Sequence, residues 1–450
     1  MLESINTIIS SIASWIWGLP LIILLCGTHL FLTFRLRFVQ RYIFKAIKLS
    51  FKSVDGKHGD ISPFKALSTQ LAATMGTGNI VGVATAVALG GPGAVFWLWM
   101  TGFFGIATKY GECLLSVKYR IKNDDGSYSG GPMYVIERGL KCKWLAILFS
   151  VFTIFASFLI GSSVQANSLS IAIHDSFGIN VWIIAFFTTI LAGIVIVGGV
   201  RAIAKVCAKI VPVMALFYIL GCVVLLLLDY SSIDDTLFLI WNEAFSLQSV
   251  GGGFLGGGMI LAARYGIARG LFSNESGLGS APIVAASAQT PNAVHQALVA
   301  STGTFWDTIV GCALTGLVVV NTGAWKVAGE GAMMTKVAFG DLPFGEVFLC
   351  LALVAFSFTT ILGWSFYAEK SIKYLCGNRL IIFYRLIYLC CVFFGCVLSV
   401  DLVWNIGDIF NALMAIPNLI ALLFLSGVIV QETKQYLWNN RLSDRDLEIN

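Results

Sequence analysis

The stretch ATMGTGNIVG, Ala73 to Gly82, places Gly76, Thr77, Gly78 and Asn79 side by side in the middle of an apolar segment that runs from 63 to 90. In hydrocarbon every backbone N–H and C=O must find a partner within the protein, so a helix unwinds at that depth only where protein or a watery cavity surrounds it. The unwound turn then offers N–H groups to an anion, and carbonyl and hydroxyl oxygens to a hard cation. The competing explanation is packing, because small residues let membrane helices approach closely. One glycine pair does not decide between them.

A second segment, ARGLFSNESGLGSAP from Ala268 to Pro282, repeats the interruption. Gly270, Gly277, Gly279 and Pro282 bracket the polar run Ser273, Asn274, Glu275, Ser276. A carboxylate at this depth is costly and marks a functional site by default. Glu275 also fits as a structural group bonded to broken backbone, and the sequence leaves both readings open. The two interrupted segments open successive groups of five helices, 63–228 and 258–430, that begin on opposite sides of the membrane. That is the pattern of an inverted repeat.

The whole chain fits a membrane setting. Of its 450 residues 57% are hydrophobic and only 12% charged, and the mean hydropathy is +0.84, too little polar surface for a soluble globule. Apolar runs of roughly 20 residues, the length that crosses a hydrocarbon core, recur throughout. The expected helices are 14–33, 63–90, 94–118, 144–171, 181–199, 206–228, 258–288, 295–320, 346–367, 380–399 and 403–430. The fold class is therefore all-α integral membrane, with about eleven spans. One extra N-terminal helix and a basic loop (1–62) precede a ten-helix core (63–430), and a tail (431–450) follows. The run Trp15–Leu32 has no basic residue before it and no clear cleavage site after it, and reads as a retained span.

Basic loops set the expected orientation. Arg35, Arg37, Arg41, Lys45, Lys48, Lys52 and Lys57 follow the first span, and Lys118, Arg120, Lys122, Arg138, Lys141 and Lys143 the third. The connections 172–180 and 229–257 hold no Lys or Arg. The N-terminus is then outside and the C-terminus inside, in agreement with Lys434, Arg441 and Arg445 in the tail. Lys326 and Lys336 in the external 321–345 connection run against this order. The net charge of +5 reflects topology and implies no nucleic-acid partner. Eleven scattered cysteines without a CxxC pair read as small buried hydrophobes, and four histidines without an HExxH cluster argue against a zinc hydrolase. The GGGFLG of Gly251–Gly256 satisfies a dinucleotide pattern but lacks the strand before it and the acid after it, and reads as an external loop.

The stretches TMGTGNIVGVATAVALGGPGAVFWLW (74–99), ATKYGECLLSVKYR (107–120), GGPMYVIERGL (130–140), RGLFSNESGLGSAP (269–282) and, more loosely, GWSFY (363–367) resemble the alanine/glycine:cation symporters. The resemblance implies the five-plus-five inverted-repeat fold named after LeuT. It also implies import of alanine or glycine coupled to Na⁺, with H⁺ the less frequent coupling ion. There would be no cofactor, and a single chain in the cytoplasmic membrane of a prokaryote would suffice. Carried over residue by residue, Thr77, Gly78 and Asn79 meet the substrate carboxylate at the first break. Thr74 and Asn79 serve substrate or cation. Gln165 supplies a polar contact from the fourth span, and Phe272, Ser273 and Asn274 line the second break. Ser357, Thr359 and Thr360 face the first break as candidate Na⁺ ligands. Trp364, four residues beyond Thr360 and on the same face, forms a pocket wall. Gly76, Glu275 and Gly277 shape the breaks, while Arg264 and Arg269 either gate an outer vestibule or snorkel to the interface.

Hydroxyls in membrane helices also bond their own backbone, and a lone glutamine also ties helices together, so each of these residues has a structural reading beside the functional one. A channel is the alternative in another class, because midplane interruptions also build selectivity filters. An intramembrane enzyme ranks below it, since no nucleophile and base are paired.

Overall fold

The computed structural model describes residues 2–52, 59–246, 257–326, 331–399 and 401–444. Gly251–Gly256 lies outside the described residues. The chain opens with α1 (Leu2–Ile16) and α2 (Leu19–Arg35), where the sequence reads as one span from 14 to 33. Pro20 accounts for the division: it stands in the first turn of α2, where a missing N–H costs nothing. A short helix, α3 (Ile43–Ser50), follows.

The first interrupted segment is α4 (Pro63–Thr74), a π turn over Gly78–Gly82 and α5 (Val83–Gly90). The two halves are bent by 56°. After α6 (Ala94–Lys118) comes the hairpin β1 (Ile121–Lys122) and β2 (Tyr128–Ser129), then α7 (Pro132–Gly139). Helices α8 (Lys143–Ala156) and α9 (Gln165–Phe177) join through a π stretch, Ser157–Val164, into one 35-residue helix. Next come α10 (Val181–Val197), α11 (Gly199–Leu228) and α12 (Ile233–Ala244). The second interrupted segment is α13 (Gly257–Asn274) and α14 (Ala281–Ala285). Beyond it, α15 (Ala293–Thr304), a π stretch Phe305–Cys312 and α16 (Ala313–Asn321) are continuous. The remaining helices are α17 (Gly331–Phe339), α18 (Gly345–Cys376), α19 (Ile381–Val397), α20 (Asp401–Phe424) and α21 (Ser426–Thr433).

The all-helical class therefore holds, with one small hairpin among the described residues. By length and composition, six stretches among the described residues can cross a membrane, or seven when the bent pair counts as one. One of them, Gly345–Val397, has 53 residues. A straight helix of that length would measure about 80 Å, far more than a bilayer core. It folds back at Gly377, where φ is +67°. Tyr384 OH donates to the Ser365 carbonyl at 3.0 Å and Tyr388 OH to that of Ile361 at 2.7 Å, partners that step in opposite directions along α19 and α18. Of the expected spans that fall short, α10 has 17 residues, α6 carries Lys109 and Glu112, and α13 carries Arg264 and Arg269. The short elements α7, α12, α17 and the hairpin read in the sequence only as connections.

The connections sort onto two faces. On one, Lys336 pairs with Asp175 at 3.0 Å and Thr236 donates to Asn321 at 2.9 Å, so the connections around 175, 236 and 321–339 lie together. On the other, Ile61 bridges Ala288, Lys373 pairs with Asp125, and Asn292 donates to the Leu442 carbonyl. Lys336, one of the two lysines that run against the charge pattern, thus has its own acidic partner. Neighbours also exchange in pairs. Helix α6 packs on α13 and α15, α10 on α19, and α8 and α9 on α18, while α11 packs on α18 as α20 packs on α8.

Candidate functional site

Met75, with ψ of 86°, ends α4 and frees the backbone beyond it. The Gly76 N–H donates to Asn79 Oδ1 at 3.0 Å, so the break is folded on its own asparagine. The Thr77 N–H points at Gln165 Oε1 at 3.5 Å, and Gln165 Nε2 donates to Thr77 Oγ1 at 3.3 Å. A Cβ on Gly76 would lie 2.8 Å from Thr360 Oγ1 and 3.2 Å from Gln165 Oε1, so only glycine lets α18 and α9 approach the break this closely. Gly78 faces the other interrupted helix: a Cβ there would lie 3.4 Å from the Phe272 ring and 3.8 Å from the Ser273 Cα. The two breaks are neighbours.

Thr360 Oγ1 lies 3.0 Å from the Ala72 carbonyl, 3.4 Å from that of Met75 and 2.9 Å from that of Phe356. A hydroxyl has one proton and satisfies one carbonyl at a time. Four oxygens from two helices thus converge, three of them carbonyls, the donor set that suits a hard cation. The other hydroxyls expected here do not join them. Thr359 bonds the Ala355 and Phe356 carbonyls of its own helix, and the Thr74 hydroxyl donates to the Leu71 carbonyl at 3.5 Å. Ser357 Oγ is buried without a hydrogen-bond partner among the described residues. Both threonines follow the back-bonding habit of hydroxyls in apolar helices.

Asn79 leads to a residue the sequence reading missed. Its Nδ2 donates to Asp307 Oδ1 at 2.8 Å, while Ser273 and Thr308 hydroxyls donate to Asp307 Oδ2 at 3.0 and 2.8 Å. Asp307, in the π stretch of the α15–α16 helix, is fully buried and ties the first break to the second. No Lys or Arg stands within 4.0 Å of it among the described residues. The signal was present in GTFWDTIVGC, a lone acid inside an apolar span.

The second break is braced from outside. Glu275 adopts φ of +52°, and Gly277 and Gly279 follow at +92° and +86°. Lys109 Nζ donates to the Glu275 carbonyl at 3.0 Å, the Gly277 N–H donates to Glu112 Oε2 at 3.2 Å, and Asn418 Nδ2 donates to the Gly277 carbonyl at 2.9 Å. Lys109 and Glu112, both fully buried, also pair at 3.3 Å. Side chains of α6 and α20 thus replace the helical partners that unwinding removes. The Glu275 carboxylate accepts from Ser280, and Asn274 Oδ1 from the Ser276 N–H, so both fasten the turn itself. Trp364 is buried one turn from Thr360, against Gly161, whose Cβ would lie 2.4 Å from that of the tryptophan. Arg264 and Arg269 line a cavity together with Phe272 and Asp408.

The chain as a whole is matched in known proteins. The model of the sodium:alanine symporter family fits residues 2–448. The chain belongs to that family. It is 46% identical to the sodium/alanine symporter AgcS of Methanococcus maripaludis, over 96% of this chain and 97% of that one. It is 49% identical to an uncharacterised transporter of Haemophilus influenzae, over 98% of each. Among solved structures, a mutant manganese transporter of Eremococcus coleocola shares the fold with a TM-score of 0.50, at 13% identity over 87% of each chain. The protein is accordingly a multi-pass membrane transporter of the sodium-coupled amino-acid symport class, and not an enzyme.

Proposed function

We propose that this symporter imports a small neutral amino acid, alanine or glycine, together with Na⁺ by alternating access. The observation that carries the reading is the meeting of the two breaks, where Gly78 lies against Phe272 and Ser273 while Thr360 gathers three carbonyl oxygens beside Gly76. The freed N–H groups around Thr77 and Gly78 would take the substrate carboxylate without placing a full positive charge at midplane. Gln165 would hold the break open to it. One Na⁺ would sit among the Ala72, Met75 and Phe356 carbonyls and Thr360 Oγ1. A second cation would be held by Asp307 with Ser273 and Thr308, between the breaks. The pairwise exchange of helix neighbours supports two inverted repeats, 63–228 and 258–430, with eleven spans in all. Both breaks lie in one chain, so a monomer suffices.

Thr360→Ala should raise the Na⁺ concentration for half-maximal uptake more than it raises that for substrate, because an oxygen ligand is lost from the cation directly. An unchanged Na⁺ dependence in a properly inserted variant makes Thr360 a packing residue. The proposed topology is external at the N-terminus and cytoplasmic at the C-terminus, in the cytoplasmic membrane. Supporting this, Asn6 bonds Asn405 near the start of α20, whereas the Leu442 carbonyl bonds Asn292 at the opposite face. Reporter fusions should place the two ends on opposite sides of the membrane; both ends on one side would rule out an odd number of spans.

A further inference from the structure

Helix α11 turns one stripe of side chains away from the protein. Arg201, Lys205 and Lys209 stand four residues apart along it, Val213, Leu216 and Leu220 continue it at helical spacing, and all six are exposed. The opposite face, with Ile203, Cys207, Val211 and Met214, is buried. None of the three cations pairs with an acid within 4.0 Å, or hydrogen-bonds through its side chain, among the described residues. They repel one another at this spacing, and they stand in the first three turns, where the helix dipole disfavours positive charge. An anion beside the stripe relieves both costs.

Position in the membrane narrows what that anion is. Arg385, at the start of the same helix, has Glu369 at 2.9 Å and the Val197 carbonyl at 3.1 Å, and Lys373 of α18 reaches Asp125. The start of α11 thus lies at the hairpin face, the one proposed as cytoplasmic. With 30 residues α11 is about 45 Å long, against a hydrocarbon core of about 30 Å. Roughly 20 residues span that core. Counted back from Leu228 it ends near Lys209, which leaves Arg201 and Lys205 among the headgroups and the apolar part of the stripe beside acyl chains.

We propose that this stripe is a binding site for an anionic phospholipid of the cytoplasmic leaflet, with its headgroup on Arg201, Lys205 and Lys209 and an acyl chain along Val213, Leu216 and Leu220. A soluble anion would meet the cations alone, whereas a lipid answers both parts of the stripe. The buried face of α11 packs on α4 and α18, and Thr359 Oγ1 donates to Met214 Sδ at 3.4 Å. A lipid held on the outer face therefore steadies the helix that backs Thr360.

The test is thermal unfolding of the purified full chain in neutral detergent with added phosphatidylglycerol, phosphatidylcholine or glycerol 3-phosphate. A ligand that binds only the folded chain raises the unfolding temperature, and the readout needs neither Na⁺ nor alanine, so it stands apart from the transport reading. The expected rise comes with phosphatidylglycerol alone. Each cation near the surface strengthens the hold on an anionic lipid roughly fivefold, so Lys205→Gln should need about five times more lipid for the same rise. The triple variant Arg201→Gln/Lys205→Gln/Lys209→Gln should need roughly a hundred times more, while unfolding without lipid no lower than the wild type. Lys45→Gln/Lys48→Gln/Lys52→Gln, which removes three other exposed cations, should keep the wild-type response. An unchanged response in the α11 variants overturns the proposal. So does an equal rise with glycerol 3-phosphate, which would make the row a soluble-anion site, and an equal loss in both triple variants, which would make the attraction one of diffuse charge.

Discussion

Uptake should vanish in Gly78→Val while the protein still inserts. A Cβ at this position lies 3.4 Å from the Phe272 ring, ordinary contact that the fold accepts. The two γ-methyl groups then fill the space between the breaks, where backbone N–H groups must reach a carboxylate. Each hydrogen bond to a charged group contributes about 1.5–3 kcal/mol, and losing two would weaken transport by roughly a hundredfold or more. Gly78→Ala, which adds only the tolerated carbon, should fall between the two. Near-wild-type uptake by Gly78→Val would mean that the substrate sits elsewhere.

Asp307→Asn should have the next largest effect. The substitution keeps shape and removes the one carboxylate shared by Asn79, Ser273 and Thr308. If that carboxylate holds a cation, losing its charge removes about 1.5–3 kcal/mol. The Na⁺ concentration for half-maximal uptake should then rise roughly tenfold to a hundredfold at low cost to folding. Uptake measured against Na⁺ at fixed alanine checks this. A variant with unaltered Na⁺ dependence and lowered thermal stability would make Asp307 a structural tie between the breaks.

The first break was legible because Gly76, Thr77, Gly78 and Asn79 violate the composition of their own span, and the second because Glu275 sits among glycines. Thr360 could be picked out by its spacing from Trp364, but its three carbonyl partners come from another part of the chain or from backbone, which carries no residue signature. The same limit hid the bracing of the second break. Lys109 and Glu112 were visible as an i, i+3 pair of opposite sign in an apolar helix, yet nothing local says that they reach Glu275 and Gly277, or that Asn418 joins them from more than 130 residues away. Asp307 was missed for a different reason: it stands alone, without the adjoining glycines and polar run that mark the two breaks, and its π stretch has no sequence signature of its own. The N-terminal span read over 14–33 lies within one crossing-length stretch, Asn6–Arg35, which Gly18 and Pro20 punctuate into α1 and α2.

The central claim is that Na⁺ and a small amino acid move together through the paired breaks. It is tested most directly by uptake of labelled alanine and glycine into proteoliposomes holding the purified protein, with an inward Na⁺ gradient and with the gradient replaced by K⁺. The account predicts accumulation above the external concentration only with the Na⁺ gradient, saturable in substrate and collapsed by a Na⁺ ionophore. Accumulation of equal extent without Na⁺, or uptake that never exceeds equilibration, would contradict it.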